Sequence, residues 1–168
     1  GNGVLRQVPF DNEIAVLSLG RGDGPLTTLF HPEKPVYVGN LNLHFDADRL
    51  LFSSIGPNGR WQVFEIGADG TGLRQVTFGP WSDLDPTELP SGRILLTSTR
   101  RECYDRCVAF RPAAFMHSMR PDGSDIVCLS FHETHEWEPS VNHDGMVIYS
   151  RWDYVDRETE GSHNLWVC

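Results

Sequence analysis

The chain has 168 residues, enough for one hydrophobic core and one domain. Its formal net charge of -9 and isoelectric point near 5.1 argue against a nucleic-acid backbone or an anionic membrane surface as its partner. No run of about 18 apolar residues occurs, so no membrane-spanning helix is predicted.

Short β-strands separated by turns are predicted from the first stretch with a clear pattern. Residues 13–19 read as a buried strand, a glycine-rich turn follows at 20–24, and residues 26–30 read as the next strand. No window has apolar residues at helical spacing over three turns without a glycine or proline. The 16 glycines and 11 prolines are spread along the chain, which is typical of many strands and tight turns. The sequence therefore predicts an all-β fold.

A repeat of four short apolar runs begins at residue 42. Gly145 follows Gly92 by 53 residues, and Pro139 follows Pro86 by the same interval. An Asp-Gly pair, which favours tight turns because glycine adopts positive φ, precedes the last run of the first two copies. The copies comprise residues 42–54 with 59–78, 85–99 with 112–131, and 138–151 with 162–168.

Four strands in each repeat of about 40 to 50 residues indicate propeller blades. We predict an incomplete β-propeller of four-stranded blades, with about three and a half blades in this chain. Its parts are a partial first blade at 13–41, blades at 42–80 and 81–133, and a truncated blade at 134–168. Closed propellers need at least about four blades. The chain is therefore either a piece of a larger protein, which we favour, or a half ring that pairs with a second copy through exposed edge strands.

Residues Pro139–Arg151 resemble the TolB-like propeller repeat in their order of Pro-Ser-Val, Asp-Gly and Tyr-Ser-Arg. Residues 136–157 also resemble the propeller region of proteins related to the alpha subunit of hydrazine synthase. The resemblance implies a propeller fold and, because most of those proteins are extracytoplasmic, a periplasmic or secreted location. Hydrazine synthase needs haem, and no CxxCH haem attachment sequence occurs in this chain, so its catalytic activity does not carry over. No signal-peptide pattern opens the chain, which leaves the natural compartment open.

Acidic pairs stand at the start of the innermost runs of the second and third repeats. They are Asp83 with Asp85 and Glu136 with Glu138. In a propeller, the loops that enter the innermost strands and the loops that join the second and third strands emerge on one face, beside the central channel. Carboxylates converging there could hold a divalent cation such as calcium. The alternative, which we favour, is that they accept backbone N–H bonds and stabilise the turn before the following prolines.

Two charged clusters of equal spacing occupy the predicted loops between the second and third strands. They are Arg100, Asp105 and Arg106 in one loop, and Arg151, Asp156 and Arg157 in the next. Forked arginine donors can bind an anionic or sugar ligand. Because the arrangement repeats, we favour the alternative that each Asp pairs with a neighbouring Arg and shapes its loop. His163, ahead of the last aromatic strand, is a further ligand-binding candidate, with capping of a loop as its alternative.

Histidines and cysteines offer further candidate sites. His132 and His135 are three residues apart, whereas the helical HExxH zinc motif needs four, so a zincin site is excluded. Resemblance to lyases of related repeat type, which bind manganese through histidines, keeps both as candidates for manganese or zinc. Cys103 and Cys107 share one loop, where a local disulfide and two free thiols remain open alternatives.

Aromatic residues complete the set of candidates. Four tryptophans could either stack on a sugar ligand or pack between blades, and we favour packing. They are Trp61, Trp137, Trp152 and Trp166. Neither a G-x-S-x-G elbow nor a phosphate-binding loop occurs.

Our leading hypothesis is a non-catalytic propeller module of an extracytoplasmic bacterial protein that binds a ligand or a protein partner. The alternatives are part of a metal- or haem-dependent enzyme and a structural segment of a larger subunit.

Overall fold

The computed structural model describes residues 10–20, 24–106, 111–154 and 163–168. These parts of the chain contain thirteen β-strands and no helix. No described stretch forms an apolar helix of membrane-spanning length. The strands are β1 (Ile14–Leu17), β2 (Leu26–Phe30), β3 (Val38–Leu43), β4 (Arg49–Ile55), β5 (Trp61–Gly67), β6 (Arg74–Gln75), β7 (Asp83–Glu88), β8 (Ile94–Ser98), β9 (Phe115–Met119), β10 (Val127–Cys128), β11 (Glu136–Val141), β12 (Val147–Trp152) and β13 (His163–Val167).

The strands form four antiparallel sheets that follow one another in chain order. β1 pairs with β2, β3 to β6 form a second sheet, β7 to β10 a third, and β11 to β13 a fourth. Strands that are consecutive in sequence are neighbours within each sheet, as in a meander. This arrangement confirms the prediction of an all-β fold and an incomplete propeller. β3 begins at Val38, so the predicted boundary between residues 41 and 42 falls inside a strand.

Apolar side chains fill the spaces between successive sheets. Every residue of β8 is buried, because a neighbouring sheet covers each of its two faces. Ile94 and Leu96 point toward the second sheet, while Leu95 points toward the fourth. The cluster between the second and third sheets contains Leu51, Val63, Val76, Ile94, Leu96 and Met119. The clusters on either side of it contain Ile14, Val38, Phe52 and Ile66, and Leu95, Met116 and Tyr149.

The Asp-Gly turns also join the sheets to one another. Gly70 and Gly123 adopt φ angles of +81° and +82°. A Cβ added to Gly70 would lie 3.2 Å from the carbonyl oxygen of Leu29 in the preceding sheet. At Gly123 the corresponding distance, to the carbonyl oxygen of Val76, would be 2.1 Å. Each turn therefore requires glycine for two reasons, its positive φ and its close approach to the backbone of the previous sheet.

Each innermost strand carries a two-residue irregularity in its pairing. It falls between Gly39 and Asn42 in β3, Leu84 and Thr87 in β7, and Trp137 and Ser140 in β11. In each case two residues oppose one residue of the neighbouring strand, and the first of the two is not glycine and yet has positive φ. These residues are Asn40 (52°), Asp85 (52°) and Glu138 (48°). All three line one cavity of about 310 Å³ on the side of the central channel, which we call the channel cavity.

Candidate functional site

Asp83 is the first residue of β7 and is completely buried. Its Oδ2 lies 2.7 Å from Nη2 of Arg100, and its Oδ1 accepts a hydrogen bond from the Ser98 hydroxyl at 2.6 Å. Arg100 also donates to the carbonyl oxygen of Phe78 and lies over the Trp81 ring. The carboxylate is therefore neutralised by a neighbouring guanidinium at the point where the inner strand begins.

Glu136 occupies the equivalent first position of β11 and is also buried. Arg151 lies opposite it on β12, but among the described residues no arginine forms an ion pair with it. Its two oxygens accept hydrogen bonds from the Ser130 hydroxyl at 2.7 Å and from the backbone N–H of Met116 at 3.0 Å. The contact with Met116 crosses from the fourth sheet to the third, so this carboxylate links two blades.

Asp85 and Glu138 lie at the third position of the same two strands. Asp85 is 7% exposed, and its Oδ2 accepts hydrogen bonds from the Thr97 hydroxyl at 2.8 Å and from the backbone N–H of Glu138 at 3.3 Å. Burial raises the pKa of the Asp85 carboxyl, and the nearby Glu138 charge acts in the same direction. Burial, followed by the charges of Asp85 and Glu138, raises the pKa of the neighbouring Tyr37 hydroxyl. The channel side of the inner strands is therefore acidic.

His135 precedes β11 and is also buried. The backbone N–H of Ala114 donates to its Nδ1 at 3.1 Å, so the neutral ring carries its proton on Nε2. Nε2 lies 3.6 Å from Oδ2 of Asp105, and the ring stacks on Trp137 with centroids 5.3 Å apart. Burial lowers the pKa of the His135 imidazole, and the Asp105 charge opposes this shift. The ring is therefore held in a neutral form by its surroundings.

The remaining predicted residues lie in separate contacts, and Arg151 and His163 belong to strands β12 and β13 rather than to loops. Arg106 pairs with Glu133 and lies over Tyr154, while Arg151 pairs with Asp153 and lies over Trp166. His132 contacts Thr134 and Asp153, and His163 packs between Trp137 and Trp152. Cys103 is a free thiol. Cys107, Asp156 and Arg157 lie outside the described residues.

A cavity of about 150 Å³ lies where the second, third and fourth sheets meet, and we call it the interblade cavity. The starts of β5, β7 and β11 and the end of β8 contribute to it, so it opens on the face where the inner strands begin. Its walls are mostly apolar, with hydroxyl groups and two charged side chains among them. The lining residues are Arg60, Trp61, Ser82, Leu84, Asp85, Thr97, Thr99, Pro112, Ala114, His135 and Trp137.

Trp61 is the most deeply buried aromatic residue of this cavity, at 1% exposure. Its ring makes an edge contact with Tyr37, with centroids 4.8 Å apart. Its indole Nε1 has no hydrogen-bond partner among the described residues. A buried N–H without an acceptor costs about 1–3 kcal/mol, so this donor favours any occupant of the cavity that supplies an acceptor.

The sequence patterns predicted part of this arrangement. They named Asp85 and His135 as metal candidates and Trp61 and Trp137 as aromatic candidates, and all four line this cavity. They missed Arg60, Ser82 and Thr99, because single polar residues next to turns carry no periodic signal. The only available signal was positional, since each of these residues flanks a strand on the face where the acidic pairs were expected.

The described residues contain no group of three or more His, Cys, Asp or Glu side chains arranged to hold a metal ion. Asp83 and Glu136 direct their oxygens to protein donors, and only Asp85 and Glu138 of the four predicted carboxylates line the channel cavity. Binding of a divalent cation by these carboxylates beside the central channel stays a prediction.

Solved structures of other proteins share this arrangement of sheets. Hydrazine synthase from Kuenenia stuttgartiensis superposes with a TM-score of 0.73 at 14% identity, over 93% of this chain and 26% of that one. TolB from Acinetobacter baumannii superposes with a TM-score of 0.64 at 12% identity, over 94% of this chain and 35% of that one. A protein described as a TolB from Agrobacterium tumefaciens superposes with a TM-score of 0.55 at 23% identity, over 70% of this chain and 40% of that one. The chain has a TolB-like β-propeller fold.

The similarity to these proteins lies in the fold. No protein-family model and no curated protein sequence matches the chain. The chain spans between about a quarter and two fifths of the lengths of the three structures that it superposes on. At these identities the likeness concerns the fold, and the activities of those proteins do not transfer with it.

Proposed function

We propose that this chain is the ligand-binding part of an extracytoplasmic bacterial propeller protein, and that it binds a small molecule in the interblade cavity without changing it chemically. The observation that carries the proposal is the buried Trp61 N–H, which lines the cavity and has no acceptor among the described residues. Ligand pockets are mostly apolar with a few oriented polar groups, and this cavity has that composition. The resemblance to extracytoplasmic propeller proteins supports the location.

The binding role is also supported by the state of His135. One ring nitrogen accepts a backbone N–H, and the other is directed toward Asp105. A general base needs a free nitrogen within about 3 Å of the proton that it removes. His135 is therefore better suited to shaping the wall of the cavity than to acid–base chemistry on a ligand.

The test is a titration followed through the tryptophan side chains. The five tryptophans give five indole N–H signals in a nitrogen–proton correlation spectrum, and Trp61→Phe identifies the signal of Trp61 by deleting it. Neutral ring-sized probes with an acceptor, cyclohexanone and phenol, are titrated into the labelled chain. We expect the Trp61 signal to shift in a saturable manner while that of the distant Trp166 stays in place.

A cavity-filling variant provides the control. Ala114 lines the cavity and is 8% exposed, so Ala114→Leu places extra methyl groups in the empty space. Filling a real cavity preserves folding, whereas overpacking a full core costs about 1–3 kcal/mol. We expect unchanged thermal stability and no probe binding. Equal titration curves for wild type and Ala114→Leu, or no shift with any probe, would refute small-molecule binding at this position.

Assembly with further blades or with a second copy is the second part of the proposal. The sheets at both ends of the described fold expose large apolar side chains that a neighbouring blade would cover. They include Leu17 and Leu26 in the first sheet and Leu165, Trp166 and Val167 in the fourth. Light scattering of the isolated chain tests this point, and we expect self-association. A stable monomer with protected edge amides would contradict it.

A further inference from the structure

The interblade cavity has a donor end. Arg60 is solvent-exposed and lines the cavity next to Trp61, and among the described residues no ion pair or side-chain hydrogen bond involves its guanidinium. The Trp61 N–H is likewise without an acceptor. A guanidinium and an indole N–H among the lining groups are suited to an anionic acceptor, because charge-assisted hydrogen bonds are about twice as strong as neutral ones.

The cavity also has an acceptor wall. Asp85 lines it and is 7% exposed, and both hydrogen bonds recorded for its carboxylate go to Oδ2. No described arginine, lysine or histidine forms an ion pair with Asp85, in contrast to Asp83, which has Arg100. Glu138, also in the channel cavity, adds a second negative charge nearby. A buried carboxylate without a cationic partner is costly unless a ligand supplies one.

The size of the cavity limits its occupant to one small molecule. An engineered cavity of about 150 Å³ is known to hold a single benzene molecule. The interblade cavity has about the same volume. Leu84, Ala114 and Trp137 contribute apolar lining. A simple anion would meet the Asp85 charge, and a simple cation would leave the Trp61 donor unsatisfied and face Arg60.

We propose that the interblade cavity binds a small zwitterion, an α-amino acid or a betaine, with its carboxylate at Trp61 and Arg60 and its ammonium group at Asp85. This inference rests on the proposed function and names the class of its ligand. The aromatic rings of Trp61 and Trp137 add a favourable surface for the ammonium methyl or methylene groups, as in sites that recognise quaternary ammonium.

The experiment compares probes that differ only in charge pattern. L-proline and glycine betaine are zwitterions, tetramethylammonium chloride supplies the cation alone, and sodium acetate supplies the anion alone. Calorimetry and the Trp61 indole signal report binding. We expect at least one zwitterion to bind about tenfold more tightly than either single-charge probe, because each charged hydrogen bond contributes about 1.5–3 kcal/mol.

Substitutions then test which cavity residue binds each charged group of the zwitterion. Asp85→Asn removes the charge at a position where asparagine tolerates positive φ, and we expect about a tenfold loss of zwitterion affinity. Trp61→Phe removes the N–H and keeps the ring, with a similar expected loss read by calorimetry. Asp144→Asn, at an exposed carboxylate in the β11–β12 turn, is the matched control and should bind as wild type does.

The outcomes separate the two proposals. Equal affinity of acetate and proline, or zwitterion binding unchanged in Asp85→Asn, overturns the zwitterion assignment. If cyclohexanone and phenol shift the Trp61 signal and zwitterions do not, the cavity still binds ligands and only this assignment fails. If no probe of either kind binds, the proposed function fails with it. Binding of proline without glycine betaine selects an amino acid with N–H donors, and binding of both shows that charge alone suffices.

Discussion

The Oδ2 atom of Asp85 accepts a hydrogen bond from the backbone N–H of Glu138, its equivalent one repeat later, at 3.3 Å. Both residues have positive φ and both lie within the register shift of an inner strand. Non-glycine residues in such conformations cost of order 1–3 kcal/mol and persist only where the surroundings hold them. The bond between Asp85 and Glu138 is one of the contacts that hold two neighbouring blades together at the channel.

Asp85→Asn should stabilise the chain at neutral pH. The folded state raises the pKa of Asp85 above its usual value near 3.8, so ionisation of this carboxyl destabilises the fold, and the loss grows as pH rises through that value. Asparagine retains an oxygen that can accept from Thr97 and Glu138. Thermal unfolding at pH 7 should show a midpoint a few degrees higher than wild type. The difference should vanish at pH 3.5, and a lower midpoint at pH 7 would contradict it.

Arg100→Ala should be strongly destabilising. It leaves the fully buried Asp83 carboxylate without its cation, and loss of one partner from a buried pair costs about 3–5 kcal/mol. Arg106→Ala is the matched control, because its pair with Glu133 is exposed and such pairs contribute about 0–1 kcal/mol. Urea unfolding measures both free energies. Similar losses for the two variants would show that Asp83 does not depend on Arg100.

Gly123→Ala should cost more than Gly59→Ala. Both glycines have positive φ, at +82° and +72°, so alanine is strained by about 1–2 kcal/mol at either position. Only at Gly123 would the new Cβ collide with backbone, the carbonyl oxygen of Val76, whereas nothing lies within 4 Å at Gly59. Urea unfolding should therefore give a distinctly larger loss for Gly123→Ala. Equal losses would mean that the turn does not approach the neighbouring sheet.

Acidification should weaken the fold through its buried histidines. Burial lowers the pKa of His117 and of His135 below the usual 6.5. As pH falls, these histidines therefore bind protons at a higher pH in the unfolded chain than in the folded chain. Stability contributed by the neutral rings is complete at pH 7.5 and is lost as pH falls below about 6.5. The unfolding midpoint should therefore drop between pH 7.5 and 5.5.

Two variants test whether the buried histidines cause this pH dependence. His117→Asn keeps a donor for the carbonyl oxygen of Phe115 and removes one titrating ring, so it should flatten the profile. His143→Gln, at a side chain that is 90% exposed, should leave the profile unchanged. A flat profile in the wild type would contradict the burial of both rings.

Much of the fold could be predicted because the chain repeats. The interval between Gly92 and Gly145, with apolar runs and Asp-Gly turns at matching positions, predicts four-stranded units. β2 (Leu26–Phe30) was predicted to the residue, while the start of β3 was missed. The irregular pairing between Gly39 and Asn42 breaks the alternation that reveals a strand, so the pattern at Val38 was not visible.

The site was less predictable because partner choice depends on three-dimensional neighbours. Arg100 was placed in a cluster with Asp105 and Arg106, five and six residues away. The structure instead puts Arg100 on Asp83 and Arg106 on Glu133. Residues at the same repeat position also differ, since Asp83 pairs with Arg100, whereas its equivalent Glu136 accepts hydrogen bonds from Ser130 and from the backbone of Met116.

The sequence alone determined the architecture, because strands, turns and their repetition depend on local spacing and on glycine conformations. It also predicted that acidic residues would stand at the starts of the inner strands. Only the tertiary structure decided which of these residues have hydrogen-bond or ion-pair partners. Whether the Trp61 N–H and the Asp85 carboxylate have partners depends on how three sheets from distant parts of the chain meet around the cavity, and no local pattern records that.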